Sequence, residues 1–118
     1  MKIKISTRLV ILLSDKAIKI PLSKRGYLQG KNEKYLWDKY NSLGMLGKLH
    51  WEFMGVVCMK RYKPISRILK SYVKGIKMFI PELDIKNCDL YNPQNWAKDN
   101  GSNILIDYGI NEKIAKMY

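Results

Sequence analysis

Ile104-Leu105-Ile106-Asp107-Tyr108-Gly109 sets three aliphatic residues directly before a carboxylate, an aromatic ring and a glycine. A short aliphatic run closed by turn residues predicts a buried strand, here Asn103 to Asp107. Its end delivers Asp107 to the mouth of a core, where a carboxylate can hold Mg²⁺ against phosphates while Tyr108 packs inward and Gly109 permits the turn. Eighteen residues earlier, Asp89-Leu90-Tyr91-Asn92-Pro93-Gln94-Asn95-Trp96 supplies a second carboxylate and several amides. They fall within the polar segment Asn87 to Gly101, which reads as a loop.

Further upstream the pattern alternates between strands and helices. Leu9 to Leu13 and Ala17 to Leu22 are aliphatic runs separated by Ser14-Asp15-Lys16, a hairpin signature in which Ile18, Ile20 and Leu22 share one face. Asn32 is placed to cap a helix reaching Tyr40 or Asn41, with Glu33 in its first turn, because Leu36, Tyr40 and Leu43 recur at helical spacing. Leu46 to Phe53 and Val56 to Tyr62, joined near Gly55, read as a second hairpin. Then Ile65, Ile68, Leu69, Tyr72, Val73, Ile76 and Ile80 mark the buried stripe of an amphipathic helix closed by Pro81. The expectation is one α+β domain over 1–118, a small antiparallel sheet with two helices.

Composition narrows the chemistry. The 118 residues are 47% hydrophobic and 11% aromatic, enough to form one core. With 22 Lys and Arg against 10 Asp and Glu, the formal charge is +12, which favours an anionic partner. Two cysteines, Cys58 and Cys88, and the single His50 cannot assemble a soft-ligand zinc site, so any metal would be held by oxygen. Cys88 is the thiol expected to be the more exposed of the two. The aliphatic run Leu9 to Leu13 is too short for a signal peptide or a membrane span, and thiols without a disulfide scaffold fit a reducing compartment; a cytoplasmic location is expected. Trp37, Trp51 and Trp96 are expected as core or loop anchors.

The segment Ile104 to Gly109 resembles the metal-binding Asp-Phe-Gly element of the protein-kinase-like fold. Asp89 to Trp96 is similar to the Asp-Leu-His-x-x-Asn catalytic loop of aminoglycoside-phosphotransferase-type and other atypical kinases, Asn95 taking the family asparagine's place with one extra residue in the loop. Ala17-Ile18-Lys19 resembles the end of the third kinase strand, whose lysine reaches the nucleotide phosphates. The resemblance implies that Glu33 pairs with Lys19, that the arm ending at Tyr62-Lys63-Pro64 is the hinge, and that ATP and Mg²⁺ (on Asp107 and Asn95) are the cofactors if the site is active. The sequence also departs from the family. No Gly-x-Gly-x-x-Gly precedes Lys19, Tyr91 replaces the histidine, and the chain stops nine residues after Gly109, before an activation segment or substrate lobe. A reduced pseudokinase is therefore expected, with Lys19, Glu33, Asp89, Asn95 and Asp107 vestigial, no catalysis, and no cofactor or metal.

One electrostatic feature stands apart from that resemblance. Between Lys60 and Pro81 there are seven bases, Lys60, Arg61, Lys63, Arg67, Lys70, Lys74 and Lys77, and no acid. Arg67, Lys70, Lys74 and Lys77 follow helical spacing opposite the apolar stripe. The expected function is a catalytically inactive, kinase-like binding protein that inhibits or modulates an acidic host protein or a nucleic acid through this surface. Lysine-rich miniature proteins of this kind resemble accessory products of viruses or mobile elements, which would put the protein in the host cytoplasm. Such a reduced lobe exposes apolar surface, so a homodimer is one expected arrangement. The alternatives are an ATP/Mg-dependent phosphotransferase and a nucleic-acid-binding protein of unrelated fold.

Overall fold

Short turns between β-prone runs build the sheet. Strand β1 (Lys2–Ile5) pairs antiparallel with β2 (Arg8–Leu12), which pairs with β3 (Lys16–Pro21). The Leu13 N–H donates to the Lys16 carbonyl at 2.8 Å and closes the β2–β3 turn. Strands β4 (Leu49–Phe53) and β5 (Val56–Lys60) meet through Met54 (φ 50) and Gly55 (φ 83), two left-handed residues of the kind a two-residue hairpin needs. The spatial order is β1-β2-β3-β5-β4. A second, two-stranded sheet joins β6 (Trp96–Asp99) to β7 (Ser102–Leu105). The computed structural model describes residues 2–5, 7–86 and 88–116. Asn87, one end of the expected loop, lies outside them.

Helix α1 (Lys24–Tyr40) begins nine residues earlier than expected, its N-cap being Ser23, whose side chain accepts from the Gly26 N–H. Gly26 and Gly30, which precede the expected start, are the contact points of the helix. A Cβ at Gly26 would lie 2.4 Å from the Thr7 carbonyl oxygen, and one at Gly30 would lie 2.2 Å from that of Gly55. Glycine costs helix propensity of about 1 kcal/mol, and close packing on the sheet outweighs it. Glu33 is consequently a mid-helix residue facing the sheet, and the first-turn position expected for it is corrected.

The second helix is shorter than its hydrophobic period. Helix α2 is Lys70–Phe79, preceded by extended chain from Arg61 in which the Ile65 N–H donates to the Trp96 carbonyl at 3.0 Å. That bond and the Pro64–Ala97 bridge draw the segment onto β6, so it cannot also close helical turns. Val73, Ile76 and Ile80 are buried as expected, whereas Leu69 and Tyr72 are exposed. The expected loop also holds a strand, because Asn100 (φ 50) and Gly101 (φ 82) form a hairpin turn between β6 and β7. A short α3 (Glu112–Ala115) follows.

The core lies between α1, the inner sheet face, α2 and the second sheet. Leu36, Val57, Met59, Val73, Ile80, Leu83, Leu90, Trp96, Leu105 and Tyr108 are its main members. The Trp96 indole N–H donates to the Leu90 carbonyl at 2.7 Å, which anchors the turns before β6. Trp51 on the edge strand β4 is exposed rather than an anchor. Among the described residues no helix is long and apolar enough to cross a membrane.

Candidate functional site

Strand parity decides which side chains meet. Register pairs Val10 with Lys19, Leu12 with Ala17, and Ala17 with Met59, so these five side chains share the inner sheet face. They roof a cleft of about 750 Å³, within the range of about 300–1,000 Å³ usual for small-ligand sites. Lys60, Arg61, Tyr62, Lys63 and Pro64, where the chain leaves β5, form one wall; Gln94, Asn95, Ile106 and Asp107 close the other side.

Deep in the cleft, Lys19 Nζ lies 2.9 Å from Glu33 Oε2, and the other carboxylate oxygen takes the Arg8 guanidinium. The Glu33 side chain is 0% exposed. Burial on its own would push this carboxyl up, but the charges and hydrogen bonds of Arg8 and Lys19 outweigh that and hold it below the ordinary carboxylate value. Arg8 likewise is disfavoured by desolvation yet held above its ordinary value by Glu33 and then Asp107. A lysine pinned in this way presents its ammonium to the cleft at fixed geometry.

The Asp107-Tyr108-Gly109 segment reaches the cleft because each residue is fixed differently. Tyr108 is 0% exposed and its hydroxyl donates to the Gly47 carbonyl at 3.0 Å; burial drives its phenol upward. Gly109 is needed for approach rather than for a turn, since a Cβ there would come within 2.6 Å of the Gln29 carbonyl and 2.7 Å of Glu33 Cγ. The Asn32 side-chain amide donates to the Gly109 carbonyl at 2.9 Å, tying the segment to α1. Asp107, left half-exposed, has Oδ1 at 3.7 Å from the Arg8 guanidinium.

Four of the five residues singled out on the kinase resemblance thus border this cleft or support it: Lys19, Asn95 and Asp107 line it, and Glu33 stands behind Lys19. Asp89 does not line it. Its backbone is left-handed (φ 52), the side chain is exposed and accepts from the Asn92 amide at 3.3 Å, and its carbonyl accepts from Asn95 Nδ2 at 3.0 Å. Asn95 also donates to the Cys88 carbonyl at 2.9 Å, leaving its amide oxygen for other partners. Cys88 is buried, contrary to its expected exposure; burial first and the Asp107 charge second push its thiol up to about 12, and Sγ donates to the Ile110 carbonyl at 2.8 Å.

A divalent cation is the group the kinase resemblance implies for Asp107 and Asn95. The residues present do not fit it, because a guanidinium anchored on Glu33 already faces the one carboxylate that lines the cleft among the described residues. Arg8 went unnoticed in the sequence, although its parity with Val10 and Leu12 was a signal: a charge on the inward face of an apolar strand needs a buried partner.

The seven bases do not form one surface. Lys60, Arg61 and Lys63 line the cleft, Arg67 precedes α2, and Lys70 and Lys74 are exposed on that helix. Lys77 is half-buried, donating to the Pro81 carbonyl at 2.6 Å and to the Leu83 carbonyl, so it ties down the chain that follows α2. Comparison with protein-family models, with curated proteins and with solved structures gives no match.

Proposed function

We propose that the chain is a kinase-like binding protein that holds a purine nucleoside phosphate in this cleft and acts without phosphoryl transfer. The observation that carries the reading is the buried Lys19–Glu33 pair at 2.9 Å, opening beneath a roof of Val10, Leu12, Ala17 and Met59. Apolar side chains on one sheet face suit a flat heterocycle, and the fixed ammonium with Lys60, Arg61 and Lys63 suits its phosphates. Catalysis is left out because a phosphoryl acceptor needs a carboxylate base within reach, and Asp89 is turned away from the cleft lining. The exposed Arg67, Lys70 and Lys74 support the second half of the reading, an acidic macromolecular partner met outside the cleft.

Titration of the chain with a fluorescent ATP analogue tests the first half. We expect saturable binding, competed by unlabelled ATP and weakened about tenfold or more by Lys19→Met, which removes the phosphate-facing charge while Arg8 still pairs with Glu33, its fold being checked by circular dichroism. No transfer of labelled γ-phosphate is expected to the chain or to generic acceptors. A wild-type chain that does not bind the analogue sinks the reading, and γ-phosphate transfer lost in Asp107→Asn overturns its non-catalytic part.

A further inference from the structure

We infer that the cleft takes its nucleotide without a divalent cation: the triphosphate charge is met by Lys19, Lys60, Arg61 and Lys63, and Arg8 stands beside Asp107 where a metal would otherwise sit. This rests on the nucleotide reading above. Asp107 is the single acid among the described residues lining the cleft, against four bases, so the lining carries a formal charge of +3. That is close to the charge of about −4 on a fully ionised nucleoside triphosphate, and close opposite charges need no third ion to bring them together.

Arg8 is what turns this balance into exclusion. Its guanidinium is 5% exposed, one nitrogen is held by the fully buried Glu33, and another lies 3.7 Å from Asp107 Oδ1. A guanidinium does not lose its proton in proteins, so no neutral form makes way for a metal. Nor can it swing aside without leaving the Glu33 carboxylate buried beside Lys19 alone. A hard dication on Asp107 would therefore sit against a fixed positive charge, and the neutral Asn95 amide, whose Nδ2 is held by the Cys88 and Asp89 carbonyls, brings no negative charge to offset it. With an ordinary metal-dependent site the dication would have supplied the charge that Lys60, Arg61 and Lys63 already bring.

The experiment compares the affinity for ATP, read with the fluorescent analogue at matched ionic strength, in excess EDTA and in excess magnesium chloride. We expect the EDTA affinity to equal the magnesium affinity within about threefold or to exceed it, because magnesium removes two negative charges from the ligand. Asp107→Asn, a half-exposed change whose folding is checked by circular dichroism, removes a cleft carboxylate that repels the phosphates and is expected to bind more tightly than wild type in EDTA. An affinity more than about threefold higher in magnesium, with that gain lost in Asp107→Asn, overturns the inference and leaves the nucleotide reading standing. Absence of binding in both conditions removes the nucleotide reading and this inference with it. Arg8→Gln is not the test variant, since it strips a partner from buried Glu33 and loss of binding could then follow from loss of the fold.

Discussion

Glu33→Gln removes the one negative charge on which two buried cations close. Side-chain exposure is 0% at Glu33, 5% at Arg8 and 9% at Lys19, so water cannot replace the lost partner. Breaking a buried ion pair from one side costs about 3–5 kcal/mol, most of it the penalty of the charge left behind, and here two charges are left. Set against a total stability of about 5–15 kcal/mol for a domain, this variant should unfold at a much lower urea concentration, read from tryptophan fluorescence through the buried Trp96. Acid titration carries the same information. The folded carboxyl is held below its ordinary value of 4.5, so its contribution is fully present above that value and is lost as pH falls through the lowered folded value. The Gln variant should lack this part of the acid sensitivity. A companion triple variant, Arg8→Met with Lys19→Met and Glu33→Met, removes all three charges and should recover to within about 2 kcal/mol of wild type or better, yet bind nucleotide no better than Lys19→Met. A loss under about 1 kcal/mol in Glu33→Gln, with unchanged acid behaviour, refutes the description of these three groups as one buried cluster.

Two other outcomes follow from features away from that cluster. Cys88, buried with its thiol pushed up to about 12, should resist iodoacetamide at neutral pH in the folded chain and react once urea unfolds it; modification under native conditions at the rate of a free thiol contradicts its burial. Reversing Arg67, Lys70 and Lys74 to Glu touches only exposed side chains, so the urea midpoint should move by no more than the equivalent of about 1 kcal/mol per site while binding to an acidic partner protein falls steeply. Equal retention of the chain and this variant on a polyglutamate column at low salt would show that these bases carry no anion-binding role.

The sheet was legible wherever turn chemistry and alternation agreed. The β2–β3 hairpin appears within a residue of expectation and the β4–β5 hairpin at its expected turn, with β4 beginning at Leu49 instead of Leu46, because Ser14-Asp15 and Met54-Gly55 interrupt runs whose apolar residues have a clear parity. Asn100-Gly101 carried an equally strong hairpin signal, yet the polar residues around it made the segment read as loop; Trp96 and Ala97 are buried by tertiary contacts that composition does not express. Helix α2 failed the other way, since Ile65, Ile68 and Leu69 keep a helical period while the Ile65 backbone bonds to Trp96 instead. At the site, Lys19, Asn95 and Asp107 were singled out by their likeness to kinase motifs, and Glu33 as the partner which that resemblance implies for Lys19. Arg8 was missed because a lone arginine beside Ser6-Thr7 looks like a strand flank, and its parity with Val10 and Leu12 counts only once the strand is taken to begin at Arg8.

Gly26, Gly30 and Gly109 each sit where a methyl group would collide with backbone, on Thr7, Gly55 and Gln29 respectively. Together they act as spacers of zero thickness that set how closely α1 rides on the sheet and on the segment carrying Asp107. Because the spacers lie on both the sheet side and the Asp107 side of the helix, rotating or withdrawing α1 opens voids on one contact while pressing on another. The helix is thereby seated in a single position, and Glu33 with it. The Lys19 ammonium is thus in place before any ligand arrives, and a binder of this design pays its ordering cost during folding rather than at each encounter.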